Sequence, residues 1–129
     1  LFKFWPDEER TEVLGVNWGK EGVYTTSIDV SPKYRYIYYV PAAHGQAWEY
    51  GAPVVQYDTK TNRKKVIAFL EKYTFETYGY AIAGTFGIEL SEDGSLLVIA
   101  MNGGFGPEAG RYEHTSIFAV HIPESERME

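Results

Sequence analysis

One hairpin pattern occurs three times in this chain, and that repetition limits the possible folds more than any other feature of the sequence. Residues 54–70, VVQYDTKTNRKKVIAFL, align without a gap with residues 1–17, LFKFWPDEERTEVLGVN, at an offset of 53 (residue 54 against residue 1). In the first copy the pattern predicts strands at Leu1–Phe4 and Val13–Val16, joined by a polar turn. A truncated third copy covers residues 117–127, at an offset of 63 from the second (117 against 54). Self-similarity of this kind indicates a repeat architecture.

A second hairpin unit alternates with the first. Residues 27–40, SIDVSPKYRYIYYV, match residues 87–100, GIELSEDGSLLVIA, at an offset of 60 (87 against 27). Each copy has a turn after its first apolar strand, over residues 31–34 in one copy and 91–94 in the other. Pro32 presets φ for a type I turn, and the Asp-Gly of the other copy tolerates positive φ. We therefore expect two further pairs of antiparallel strands.

The order of these units predicts the fold class. Labelled from the inner edge of a sheet outward, the strands run C-D, then A-B-C-D, then A-B-C. Four antiparallel strands that recur about every 60 residues are typical of β-propeller blades with enlarged loops. We predict an all-β fold, a β-propeller fragment of about two four-stranded antiparallel blades, and the alternative is a β-sandwich of similar hairpins. One partial propeller then spans residues 1–129, with the end of one blade at 1–18, a full blade at 23–70 and most of a further blade at 84–129.

Three stretches resemble the blades of TolB-like and lactonase-like propellers, which are WD40-like repeats. They are Ser-Pro-x-x-x-Tyr-Ile-Tyr-Tyr at 31–39, Val-Gln-Tyr-Asp-Thr-Lys-Thr at 55–61 and Ile-Glu-Leu-Ser-Glu-Asp-Gly-Ser-Leu-Leu at 88–97. The resemblance implies the propeller fold and a ligand site at the mouth of the central channel. It leaves the function open, because such blades occur in scaffolds, lectin-like modules, lyases and lactonases. It also slightly favours an extracellular or periplasmic location.

Composition and strand count limit the partners. The net charge is −6 and no block of Lys or Arg is present, which argues against nucleic acid as a partner. No apolar run approaches the ~20 residues of a membrane span, and the absence of cysteine excludes disulfides and thiolate metal sites. A propeller needs about four to eight blades to close. We therefore expect further blades, from the same polypeptide or from other copies of it, to complete this one at both ends.

Three long connections are predicted to carry any binding site, because loops on a rigid scaffold are where binding residues concentrate. The B–C loops cover residues 41–53 and 102–115, and the D–A loop covers residues 71–84. Their aromatic rings could stack on a sugar or another flat ligand, with polar side chains beside them, or could pack within their own loops. The candidate ligand-binding residues are His44, Gln46, Trp48, Glu49, Tyr50, Asn102, Arg111, Tyr112 and His114.

No metal site or cofactor is predicted. His44 and His114 lie in equivalent loops but at unmatched positions, and no HxH or HExxH spacing is present. Asp29 and Glu89 occupy the same place on the innermost strand of two blades. These two acids face the predicted channel and either collect a divalent cation or hydrogen-bond the backbone of the neighbouring blade. The glycines at 103–104 are expected to make the second B–C loop flexible.

Three functions are compatible with this pattern. The first is a ligand-binding or assembly module that holds a carbohydrate, peptide or protein through the aromatic loops. The second is an enzyme of the lyase, lactonase or hydrolase type with its site at the channel mouth. The third is a purely structural repeat of a large surface protein. No catalytic residue is identified, because the sequence has no nucleophile elbow and no defensible pair of catalytic carboxylates.

Overall fold

The computed structural model describes residues 1–19, 23, 25–41, 44, 47–108 and 111–128. Its β-strands, which pair antiparallel throughout, are β1 (Phe2–Trp5), β2 (Arg10–Val13), β3 (Ile28–Val30), β4 (Tyr36–Tyr39), β5 (Pro53–Asp58), β6 (Arg63–Phe69), β7 (Tyr80–Leu90), β8 (Leu96–Phe105) and β9 (His114–His121). Two helices, α1 (Leu70–Tyr78) and α2 (Glu124–Arg127), accompany them. The strands form a β1-β2 hairpin, a β3-β4-β5-β6 sheet and a β7-β8-β9 sheet. The prediction of a mainly antiparallel β fold is confirmed.

The strand pairings of the second sheet recur in the third. Three residue pairs of β3–β4 have equivalents in β7–β8. Ile28↔Tyr39 corresponds to Ile88↔Ile99, Asp29↔Tyr38 corresponds to Glu89↔Val98, and Val30↔Ile37 corresponds to Leu90↔Leu97. The turns match as well. Ser31 Oγ accepts the Tyr36 N–H at 2.9 Å, and Ser91 Oγ accepts the Leu96 N–H at 2.9 Å. The sequence offset of 60 is therefore also an offset in hydrogen-bond register.

The first hairpin has the register of β5–β6 at an offset of 53. Trp5 pairs with Arg10 where Asp58 pairs with Arg63. The prediction that the second strand spans Val13–Val16 is wrong, because a tight 3₁₀ turn at Pro6–Glu8 reverses the chain immediately after β1. Glu9 follows this turn in the left-handed region, with φ 46°, and β2 begins at the next residue.

The predicted D–A loop at 71–84 is also wrong, because most of it is regular structure. Helix α1 occupies Leu70–Tyr78 and ends at Gly79, whose φ of 67° suits a glycine. No Gly or Pro interrupts the helical segment, and Leu70 and Thr74 bury their side chains beneath it. Strand β7 starts directly afterwards at Tyr80.

The predicted second B–C loop is shorter than 102–115. Strand β8 continues to Phe105 and β9 begins at His114, so the connection covers residues 106–113 and starts with a 3₁₀ turn at Gly106–Glu108. The two glycines expected in a flexible loop pair with β7 instead. After β9 the chain forms α2 where the sequence repeat continues as a turn.

The core consists of two layers of side chains, one on each face of the second sheet. Toward the third sheet, buried residues of both sheets form one cluster, which includes Tyr38, Val54 and Ile99. On the opposite face, Tyr39, Val55 and Tyr57 pack against residues of the first hairpin and the segment after it, namely Leu1, Leu14 and Trp18. The inner strands of the second and third sheets lie side by side, and Thr26 Oγ1 donates to the carbonyl of Thr85 at 2.8 Å.

Candidate functional site

Phe86 lies at a β-bulge and points its ring outward. The β7–β8 register shifts between Thr85 and Gly87, so Phe86 has no partner of its own on β8. A bulge of this kind re-aims one side chain relative to the alternation of its strand. Its neighbour Thr85 is buried, whereas 38% of Phe86 remains exposed. The ring of Phe86 is therefore partly open to solvent at an irregular point of β7.

Two predicted site residues contact this ring. The His44 imidazole meets Phe86 edge-on, with ring centroids 5.6 Å apart. The Tyr112 ring meets it from the other connection, with centroids 6.2 Å apart. Both neighbours are themselves exposed. These three residues, which we call the aromatic cluster, bring together the β4–β5 connection, the β8–β9 connection and strand β7.

His114 lies in a different group of rings. Its imidazole contacts Phe105 at a centroid distance of 5.3 Å, and Phe105 in turn contacts Tyr80 at 5.1 Å. The Tyr80 hydroxyl donates to the backbone carbonyl of His114 at 2.9 Å and accepts from Ser116 Oγ. Burial is the main reason that the pKa of Tyr80 is raised above its ordinary value. The two predicted loop histidines are thus parts of separate aromatic groups.

The other predicted loop residues have varied surroundings. Trp48, Glu49 and Arg111 are exposed, with 48% of Trp48 accessible, and Tyr50 is half-buried. Asn102 lies in β8 rather than in a loop, and its Oδ1 accepts from Thr115 Oγ1 at 3.4 Å. Gln46 lies outside the described residues.

Asp29 connects the two inner strands. One carboxylate oxygen accepts the Leu90 N–H of the neighbouring sheet at 2.6 Å, and the other accepts the Val30 N–H at 2.7 Å. Glu89, at the equivalent repeat position, is exposed. The backbone-bonding alternative therefore describes Asp29. Within the ranges that the structure describes, no group of three or more His, Asp or Glu side chains is arranged to hold a metal ion.

Sequence reasoning missed a polar groove of about 510 Å³ along β5 and β6. Arg35 and Asp58 form an ion pair there, with Nη2 and Oδ2 2.9 Å apart. Hydrogen bonding to Arg35 lowers the pKa of Asp58 from 3.8 to about 2. Across the groove, Lys65 pairs with Glu126 of α2. In the alignment of the hairpin copies, Trp5 and His121 hold the position of Asp58 in the first and third copies. The acidic residue of this ion pair therefore does not recur with the repeat.

Phe86 was missed as well, because its contacts with His44 and Tyr112 depend on how β7 lies against two distant connections. The one local signal is the pair of glycines, Gly84 and Gly87, that flank this part of β7, since isolated glycines in a strand often mark a bulge.

Comparison with known proteins gives no relative from which a role could be transferred. No protein-family model, no curated protein and no solved structure matches the chain. In the part of the chain that the structure covers, no helix has the length and apolar character needed to cross a membrane.

Proposed function

We propose that this chain is part of a β-propeller that acts as a ligand-binding or assembly module, with the aromatic cluster as its contact site. The observation that carries the proposal is the contact of Phe86 with both His44 and Tyr112. Three separate segments contribute exposed rings to one place, and the central ring lies at a β-bulge. Rings that only stabilised their own loops would need neither feature.

The arrangement of the sheets supports the propeller part of the proposal. Successive sheets repeat their register, pack face to face and place their inner strands side by side. These are properties of neighbouring propeller blades, which radiate from an axis along their inner strands. In a propeller the β4–β5 and β8–β9 connections would open on one face, so the aromatic cluster would lie beside the channel mouth.

The chemistry of the cluster favours ligands with a flat apolar face. Exposed rings in edge-to-face contact hold one another in place and leave an apolar surface open to solvent. A sugar ring, or an aromatic or proline side chain of a peptide or protein, can stack on such a surface. Glu49 and Arg111 are exposed in the same two connections and can offer hydrogen bonds to hydroxyl or amide groups.

The test is a binding screen followed by one matched pair of variants. We expect a panel of oligosaccharides and of aromatic- or proline-containing peptides, followed by NMR chemical-shift changes, to yield a ligand that perturbs Phe86 and Tyr112. Phe86→Ala should then weaken binding by about tenfold, the amount expected for the loss of one aromatic contact. Phe75→Ala is the control, because Phe75 is 54% exposed on α1, outside the aromatic cluster. Unchanged affinity in Phe86→Ala would contradict the proposal.

A further inference from the structure

Among the described residues, two apolar sheet faces remain exposed, one at each end of the stack of sheets. The first, which we call the hairpin face, lies on β1–β2 and contains Phe2, Phe4, Thr11 and Val13. Phe2, Phe4 and Val13 are 70%, 56% and 79% exposed. The second, which we call the third-sheet face, lies on β8–β9 and contains Leu96, Val98, Ala100, Ile117 and Ala119. Leu96, Val98 and Ile117 are 38%, 38% and 72% exposed.

The repeat indicates which kind of surface covers a face like the third-sheet face. At offsets of 60 and 63, the positions of Val98 and Ile117 correspond to those of Tyr38 and Val54 in the second sheet. Tyr38 and Val54 are fully buried there, in the cluster against which Phe118 of the third sheet packs. The third-sheet face is thus the equivalent of a surface that the chain buries once already.

The same repeat identifies the covering residues on the hairpin face. Phe2 corresponds to Val55 at an offset of 53, and Val55 corresponds to Phe118 at an offset of 63. By the same offsets Phe4 corresponds to Tyr57 and to Val120. Phe118 and Val120 are among the third-sheet side chains that pack against the cluster shared with the second sheet, and Phe2 and Phe4 hold the equivalent positions in the first hairpin.

We infer that the occupant of the third-sheet face is a second copy of this chain, docked through its hairpin face. The contact would repeat between copies the part of this packing that Phe118 and Val120 of β9 make, since the first hairpin has no equivalents of β7 and β8. The side chains named for the two faces are uncharged. Glu89 and His121, which pair with Val98 and Leu96, lie beside them on the third sheet, so a docked copy would have to leave the Glu89 carboxylate in contact with solvent. Because two different surfaces meet, the association is head to tail and adds copies around an axis or along a line. The inference rests on the repeat and not on ligand binding, so either can fail while the other stands.

The first experiment measures mass against concentration for the chain and for single-face variants. We expect sedimentation velocity to show a weight-average mass that rises above the 14.7 kDa of one copy as concentration increases. Phe4→Glu and Val98→Arg should each remain at one copy over the same range, because every contact needs both faces. Phe75→Glu, a change at a similarly exposed phenylalanine on α1, should associate like the parent chain. Circular dichroism verifies folding, and Ile117→Lys replaces Val98→Arg if that variant does not fold.

Mixing the two variants tests the head-to-tail geometry. Phe4→Glu keeps its third-sheet face and Val98→Arg keeps its hairpin face, so an equimolar mixture should form a complex of two copies that stops there. A parent chain that stays at one copy at every concentration would overturn the inference. Association that survives either single-face variant, or a mixture that stays at one copy, would overturn it as well. In those cases the two faces are not the surfaces that meet, or a further sheet from another source covers them.

Discussion

Asp29 and Glu89 occupy one repeat position and have different surroundings because only one of them has a sheet beside it. Asp29 lies between the second and third sheets and accepts the Leu90 N–H across that boundary. Glu89 lies on the next inner strand, beyond which the described chain has no further sheet, and it is exposed. The role of an acidic side chain at this repeat position therefore depends on whether another sheet lies beside it.

Removing the carboxylate should separate these two cases. Asp29→Ala leaves the Leu90 N–H without its acceptor at the sheet boundary, and we expect the free energy of unfolding to fall by about 2 kcal/mol. Glu89→Ala should change it by less than about 0.5 kcal/mol, as exposed substitutions usually do. Urea unfolding of both variants measures the difference. Equal effects at the two positions would show that the carboxylate of Asp29 does not bridge the sheets.

Gly103 is a second residue whose importance depends on a close approach. A Cβ at this position would lie 2.2 Å from the Ala81 carbonyl oxygen and 2.6 Å from the Tyr80 ring. At Gly87 of β7 a Cβ would meet only the Ala100 side chain, at 3.7 Å. The sequence shows a glycine pair but not the ring of Tyr80 above it, which is why a flexible loop was the natural expectation.

Matched alanine substitutions test this difference. Gly103→Ala forces the Tyr80 ring and the backbone apart, and overpacking of this kind costs about 2 kcal/mol or more. Gly87→Ala introduces ordinary van der Waals contact and should stay within about 1 kcal/mol of the parent. Thermal unfolding followed by circular dichroism is sufficient to rank them. If Gly103→Ala is as stable as Gly87→Ala, the close packing at β7–β8 is not as described.

At the scale of elements, local sequence predicts the β3–β4 and β7–β8 hairpins well because their turns and alternation are local signals, whereas it misplaces β2. Ser31 and Pro32 predict the β3–β4 turn, and Ser91 and Gly94 predict the equivalent β7–β8 turn. Helix α1 is different, because contacts outside its own segment hold it, among them the hydrogen bonds of the Leu70 and Glu71 N–H groups to the carbonyls of Ala52 and Gly51. The Glu71 carboxylate accepts the Ile82 N–H at 2.7 Å, and Leu70 and Thr74 are buried. The sequence of residues 70–78, which is rich in aromatic residues, does not predict these contacts.

The ion pair between Arg35 and Asp58 should make the second sheet sensitive to acid. Because the folded pKa of Asp58 is about 2 and its ordinary value is 3.8, the folded state binds this proton less readily than the unfolded chain. The stabilisation is fully present above about pH 4 and is lost as the pH falls toward 2. We expect Asp58→Asn to remove about 1–2 kcal/mol of this pH dependence. Unfolding free energies at pH 5 and pH 2.5 for both chains give the value, and parallel curves would contradict it.

At the scale of the candidate site, the sequence named two of the three rings of the aromatic cluster but not the central one. His44 and Tyr112 were predicted from their place in long loops, and they do contact one residue in common. His114 was predicted by the same logic and belongs instead with Phe105 and Tyr80. Phe86 could not be predicted, because its direction depends on the register of β7 against β8.

At the scale of the whole molecule, both proposals depend on the packing of neighbouring sheets against one another. Register repeats at offsets of 53 and 60 would also occur in hairpins that did not touch one another. Burial of Tyr38 and Val54 by the third sheet and burial of Val55 and Tyr57 by the first hairpin are what turn the repeat into a stack. The proposed docking between copies is argued from that stack, and the grouping of rings from two connections depends on it.

The most direct test of the stack is a nuclear Overhauser measurement across the boundary between the second and third sheets. We predict cross-peaks between the Leu90 amide proton and the β protons of Asp29, and between the Ile88 amide proton and the β protons of Ser27. The corresponding heavy atoms are 2.6 Å (Leu90 N to Asp29 Oδ2) and 3.2 Å (Ile88 N to Ser27 Oγ) apart. Strong cross-peaks within β7–β8 together with none between residues 27–29 and 88–90 would contradict the account, because the sheets would then not lie side by side.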